Sequence, residues 1–266
     1  MDQLDNAFQM METTFMISHE GSSRSAERTL RLFEAFAETG KPQTLSKLAR
    51  HLGVPISTCH GLVRTLQGLG YLYSFGGSRQ LYPTKKLVGI GTRIAQRDPI
   101  VELFADSLTT LRDEAGETVI LGIQQSDAVA YLDVRESANV IRYSAQPGDL
   151  KPLHSSAIGK LVLGEMSESD RRATLARLTL EKITSNTLVD LDALWGNLEE
   201  GRRAGCYVTR GENVAEVMAL AAPVRVTGDV FGVALAGPID RMVRQAERLR
   251  PLLLDATAKM RSWATT

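Results

Sequence analysis

The stretch that most constrains this 266-residue chain is a short helix with two unlike faces, set directly behind a tight turn. Gly53 supplies the turn, because only glycine takes a left-handed backbone without cost. Pro55 then fits a first helical position, where its fixed φ is already correct and its missing N–H is not needed. On one side of the helix Cys59, Leu62, Val63 and Leu66 repeat at buried spacing. On the other stand Ser57, His60, Gly61 and Arg64. Short hydroxyls, an imidazole, a glycine and a guanidinium make a face that can approach base edges closely. A chain with that helix is expected to use it as the second half of a helix-turn-helix.

The flanking residues supply the rest of such a module. From Ser25 a helical stripe runs through Ala26, Leu30, Phe33 and Ala37, broadened by Thr29, Leu32 and Phe36, and Gly40-Lys41-Pro42 ends it. A second short helix follows Thr44, a suitable N-cap, with Leu45, Leu48, Ala49 and Leu52 on one face. After the third helix, Tyr71–Phe75 and Arg79–Tyr82 alternate as strands around Gly76-Gly77, forming a hairpin with a basic tip. A hairpin there is a wing. Charge agrees: residues 24–86 hold ten Lys or Arg against three acids, a net +7 inside a chain whose formal charge is zero. A compact basic module of that kind is the footprint of a part that meets phosphate. The expected DNA-contacting set is Arg24, Thr44, Ser57, Thr58, His60, Arg64 and Arg79.

The expected organisation is a tail over 1–23, a winged helix-turn-helix over 24–86, a helical linker over 87–98 and a larger α+β domain over 99–266. In the last of these, Asp98-Pro99 start a helix carrying Ile100, Leu103, Phe104, Leu108 and Leu111, which packs either on a partner or on its own sheet. Strand-like runs follow at Thr118–Ile123, Val129–Val134, Val140–Ala145, Val217–Val226 and Val230–Ala236. Helical patterns lie at Ala157–Glu165, Ser169–Leu178, Leu191–Ala204 and Arg241–Trp263.

Enzyme chemistry finds little support. Gly159-Lys160 lacks the leading glycine and the following Ser or Thr of a phosphate loop. His154-Ser155-Ser156 has no acid placed by a motif to orient the imidazole. Cys59, Cys206 and four scattered histidines give no metal-ligand spacing, so neither metal nor cofactor is expected. No apolar run is long enough to span a bilayer and the start carries no secretion signal, so a cytoplasmic location is the default expectation.

The motifs resemble those of the isocitrate-lyase-regulator (IclR) family of bacterial transcription regulators. The resemblance is carried by Arg24–Leu30, by Pro55–Thr58 with Arg64–Leu66, by Pro152–Lys160, by Gly205–Tyr207 and by Ala221–Val224, and covers residues 24–264. It implies a GAF-like effector-binding domain, dimers or tetramers, and palindromic operator DNA as partner. It also implies a basic residue at the head of the first helix, here Arg24, at the DNA backbone or minor groove. Two positions depart from the family pattern: Ile56 stands where a basic residue is common, and Gly61 where a larger polar one is frequent. Operator sequence therefore does not transfer from relatives.

The same resemblance implies an effector pocket lined by Tyr143, Lys151, Ala157, Ile158, Thr209, Val217, Ala219, Ala234 and Ala236. Relatives that take small polar keto acids use Ser, Cys and Asp at several of the later positions, and the alanines here imply a more apolar ligand. Lys151, helped by Tyr143, Arg142 or the start of the Ala157 helix, would hold a carboxylate. An aromatic or similarly apolar carboxylate is the expected effector. The competing expectation is a ligand-blind domain that only dimerises the DNA-binding heads.

Overall fold

The computed structural model describes residues 23–75 and 80–263. Residues 1–22, the Gly76-Gly77 turn and Arg79 lie outside this range, so the expected tail and wing tip are not described. The chain divides into two compact units, one ending at Pro99 and the other starting at Ile100.

In the first unit, α1 (Arg24–Thr39), α2 (Leu45–His51) and α3 (Ile56–Gly68) pack around Leu32, Phe36, Leu48, Cys59, Val63 and Leu66. The buried stripe of α1 is Leu32, Ala35 and Phe36; Leu32 and Phe36 lie in the expected stripe, while Leu30 faces water. The rings of Phe36 and Phe33 meet Tyr82 and Tyr71 edge-on at 5.8 and 6.2 Å between centroids. Gly40 closes α1 at φ 59° and Gly53 makes the turn at φ 63°. Thr44 caps α2, accepting from Lys47 N at 3.3 Å. Pro55 is the N-cap of α3, one position earlier than expected, with an extended ψ of 145°. β1 (Gln43–Thr44), β2 (Leu72–Phe75) and β3 (Gln80–Pro83) form an antiparallel sheet of order β1-β3-β2, the hairpin of the wing. α4 (Lys86–Ala95) follows, and none of its residues is buried.

The second unit is built on one antiparallel six-stranded sheet, ordered β6-β5-β4-β9-β8-β7. Its strands are β4 (Thr118–Gln125), β5 (Ala128–Arg135), β6 (Leu150–Pro152), β7 (Tyr207–Arg210), β8 (Val217–Val226) and β9 (Asp229–Pro238). Because side chains alternate across a sheet, its two faces carry different residues. Val119, Leu121, Met218, Leu220, Val224, Val233 and Leu235 face α5 (Pro99–Ala115) and α9 (Ile239–Trp263), forming one core with Phe104, Leu108 and Leu249. α5 therefore packs on its own sheet. The opposite face meets α6 (Ala157–Glu165), α7 (Glu168–Arg177) and α8 (Leu191–Ala204).

The expected strand at Val140–Ala145 is a loop. Its β-branched and aromatic residues suggested a strand, but Val140 is 94% exposed and Ile141 also faces water. Side chains satisfy its backbone instead. Arg241 donates to Ile141 O at 3.0 Å, and Thr118 Oγ1 to Tyr143 O at 2.6 Å. Two strands of this unit went unanticipated, the three-residue β6 and the four-residue β7, as did the two-residue β1 of the first unit. Among the described residues no helix is long and apolar enough to cross a membrane, and no cluster of His, Cys, Asp or Glu could hold a metal ion.

Candidate effector pocket and DNA-binding face

The helix-facing side of the large sheet is unusually small in its middle. Register places Thr209 opposite Ala219, Ala219 opposite Ala236, Ala221 opposite Ala234, and Ala234 opposite Ile120. Three neighbouring strands, β7, β8 and β9, thus present short side chains to α6, with Ile120 of β4 beside them. At one end the gap is closed by Ile158, whose methyl carbons occupy the space above Gly122 and Gly232. A Cβ built on Gly232 would lie 2.5 Å from Ile158 Cγ2, so both glycines admit the helix. Beyond Ile158 a small cavity of about 30 Å3 remains over the alanines and opens to solvent. Its walls are Ile120, Val217, Ala219, Ala234 and Ala236 from the sheet, Ala157 and Ile158 from α6, and Val214 from the loop before β8.

Polar groups are few and placed. Tyr131, Tyr143, Ser156, Thr209 and Asn213 line the same cavity. Ser156 caps α6, accepting from Gly159 N at 3.1 Å while donating to Pro152 O at 2.6 Å. Ala157 and Ile158 both line this cavity, and their N–H groups precede the first intrahelical bond of α6, from Lys160 N to Ser156 O. Asn213 accepts from Ser155 Oγ at 3.3 Å, which leaves its amide donors for the cavity. Burial holds the Tyr131 phenol well above its ordinary pKa, with a hydrogen bond to Tyr143 and the Asp149 carboxylate adding to the effect. That hydroxyl remains a donor. The described lining carries no charged side chain.

Of the pocket residues expected from sequence, Tyr143, Ala157, Ile158, Thr209, Val217, Ala219, Ala234 and Ala236 converge on this one cavity. Lys151 is the correction, since it is not part of the lining. It sits on edge strand β6, paired with Asp149 at 3.2 Å, and its ammonium lies 5.7 Å from the Tyr131 ring centroid. An unrecognised strand explains the misplacement, because β6 fixes where Lys151 points. Arg142 is likewise engaged, donating to Glu136 at 2.9 Å. Five lining residues were not expected. Tyr131 was findable, as it shares strand parity with Val129, and Ile120 lies within an expected strand. Ser156 was findable as the cap of the expected Ala157 helix. Asn213 and Val214 come from a loop with no periodic signal.

That loop is fastened from inside. Lys160 of α6, with no solvent exposure, donates to Glu212 Oε1 and Asn197 Oδ1, each at 2.7 Å. Burial lowers the Lys160 pKa and raises that of Glu212, while their mutual attraction opposes both shifts. The Thr187 hydroxyl adds a bond to Glu212 O at 2.7 Å. His154 is also buried and donates through Nε2 to Glu181 O at 2.9 Å, its pKa lowered mainly by that burial. Ser155 and Ser156 are committed elsewhere, so the His-Ser-Ser stretch forms no nucleophile–base pair.

In the first unit, Ser57, His60, Gly61 and Arg64 all face water on α3, opposite buried Cys59, Val63 and Leu66, with Thr58 half-buried between the two faces. Arg24 is exposed at the start of α1, and Thr44 is half-buried at its cap position.

Two family models match the chain: the IclR helix-turn-helix domain over residues 25–74, and the bacterial transcriptional regulator IclR C-terminal domain over residues 92–262. A relative from Paracoccus denitrificans, the HTH-type transcriptional regulator BhcR, is 30% identical over 224 residues, covering 84% of this chain and 80% of its own. The Thermotoga maritima IclR structure superposes with a TM-score of 0.76 at 21% identity, covering 91% of this chain and 99% of that one. An IclR homologue from Microbacterium hydrocarbonoxydans in complex with 4-hydroxybenzoate gives 0.74 at 22% identity, with the same coverage. With one family model spanning the sheet domain and another the helix-turn-helix, the chain belongs to the IclR family of bacterial transcriptional regulators.

Proposed function

We propose that this regulator senses a small apolar carboxylate, an aromatic acid being the best fit, in a GAF-like domain, and that binding alters how a dimer or tetramer of the chain engages its operator. Membership of the family makes the chain a DNA-binding, effector-responsive regulator rather than an enzyme. The observation that carries the finer reading is the alanine-walled cavity at the start of α6.

Its chemistry supports an anion without a cation. Alanine walls suit an apolar ligand and offer little to a highly polar one. A helix N-terminus concentrates N–H donors and about half a positive charge where α6 begins, which suits a carboxylate. Asn213, Thr209 and the tyrosine hydroxyls would orient the remainder of the ligand. The Microbacterium homologue's hydroxybenzoate is a ligand of that class in a protein of the same fold. For the DNA side, the exposed Ser57, His60 and Arg64 on α3 support base and phosphate contact, with Arg24, Thr44, Thr58 and Arg79 contributing. Self-association is supported by α4, whose Leu87, Val88 and Ile94 stay exposed.

The test is the melting temperature of the purified protein against a panel of aromatic and aliphatic carboxylates. A ligand at about 100 times its Kd stabilises the folded state by roughly 2.7 kcal/mol. An aromatic acid should raise Tm, and Ala234→Leu, which fills the cavity, should abolish the shift. A panel without any shift, or one that Ala234→Leu leaves intact, would reject this pocket as the sensor.

A further inference from the structure

The exposed face of α3 contains a residue that the fold does not explain. Ile56, the first residue of the helix, is 56% exposed and packs into no part of the core. A large β-branched side chain left in water gives the free protein nothing, and its neighbours on that face, Ser57, His60 and Arg64, are all polar. Gly61, one turn further along, is equally unexplained. It lies inside the helix at an ordinary negative φ, and a Cβ placed on it would meet nothing within 4 Å. Glycine inside a helix is destabilising relative to alanine, so neither turn geometry nor packing accounts for its presence.

Both features make sense against a DNA groove. In a helix-turn-helix the N-terminal residues of the second helix are the ones that reach base edges. There the major groove offers one apolar target, the C5-methyl group of thymine. A side chain at the head of the helix can bury itself on that methyl, and a missing Cβ further along lets the helix axis sit closer to the groove wall.

We propose that Ile56 is a base-reading residue that recognises a thymine methyl in each half-site, and that Gly61 allows the close approach this contact needs. The proposal rests on α3 being the helix that enters the groove. It gives this chain an apolar element of sequence selection beside the polar contacts of Ser57, His60 and Arg64.

The test begins by selecting a preferred operator from random duplex DNA with the full-length protein. Each thymine in turn is then replaced by uracil, which removes the methyl and keeps every hydrogen-bonding group. At one position per half-site the wild-type protein should lose about fourfold in affinity, the effect of one buried methyl-sized group. Ile56→Ala should bind the thymine operator more weakly and show no difference between thymine and uracil there. Gly61→Ala should lose affinity for DNA with no fall in melting temperature, since the site is open in the free protein. If uracil has no effect at any position, or if Ile56→Ala keeps the full methyl discrimination, Ile56 does not read thymine. If Gly61→Ala binds like wild type, the close approach is wrong. A wild-type protein that binds DNA only without sequence preference, or that loses nothing on Arg64→Ala, removes α3 from the groove and the proposal with it.

Discussion

Lys160 is read from sequence only as the lysine of a failed phosphate loop. With no exposure, and with Glu212 and Asn197 both at 2.7 Å, it is half of an internal ion pair that ties α6 to the loop bearing Asn213 and Val214. Removing one member of such a pair leaves the other charged and dry, which costs about 3–5 kcal/mol, whereas replacing both by apolar groups is often neutral. Lys160→Met should therefore destabilise the second unit by about that amount in urea unfolding, and Lys160→Met/Glu212→Leu should recover much of it. A double variant as unstable as the single would place the stabilisation elsewhere. Nothing in the spacing of Lys160 and Glu212, fifty-two residues apart, announces this pair.

Helices and the longer strands were largely legible because their signals are local. Ala157–Glu165, Leu191–Ala204 and Val217–Val226 follow the apolar period and its caps, and the structure has the same bounds. Short edge strands and loops were not legible, since β6, β7 and the Val140–Ala145 loop depend on partners distant in sequence. The cavity was reached only through the family resemblance, and not where a loop without periodic signal supplies Asn213 and Val214. Close packing between elements is also hidden in sequence. Tyr207 of β7 lies in a slot made by Gly164 of α6 and Gly201 of α8, where an added Cβ would come within 2.2 and 2.3 Å of the ring. The phenol then donates to Glu165 at 3.0 Å. Gly164→Ala and Gly201→Ala, ordinarily favourable in helices, should each destabilise by about 1–3 kcal/mol, the usual cost of overpacking. Equilibrium denaturation would show it. A gain in stability would mean that the ring moves aside at little cost.

Across the whole molecule, the two units have separate cores, one gathered around Leu32, Cys59 and Val63 and the other around the large sheet. The cavity belongs entirely to the second. A bound effector stabilises only the unit that holds it. Calorimetry should resolve two unfolding transitions, and a saturating aromatic acid should raise only the one assigned to the second unit. A common shift of both would show that the heads and the sensor unfold as one cooperative block.

The unequal faces of the large sheet have a further consequence. Valine, leucine and methionine on one side hold α5 and α9, while alanines on the other border empty space. A substitution at Ala219, Ala234 or Ala236 changes the shape of what the protein can admit and leaves the opposite core intact. Selection can therefore retune the recognised metabolite one methyl group at a time, without first having to rebuild the scaffold.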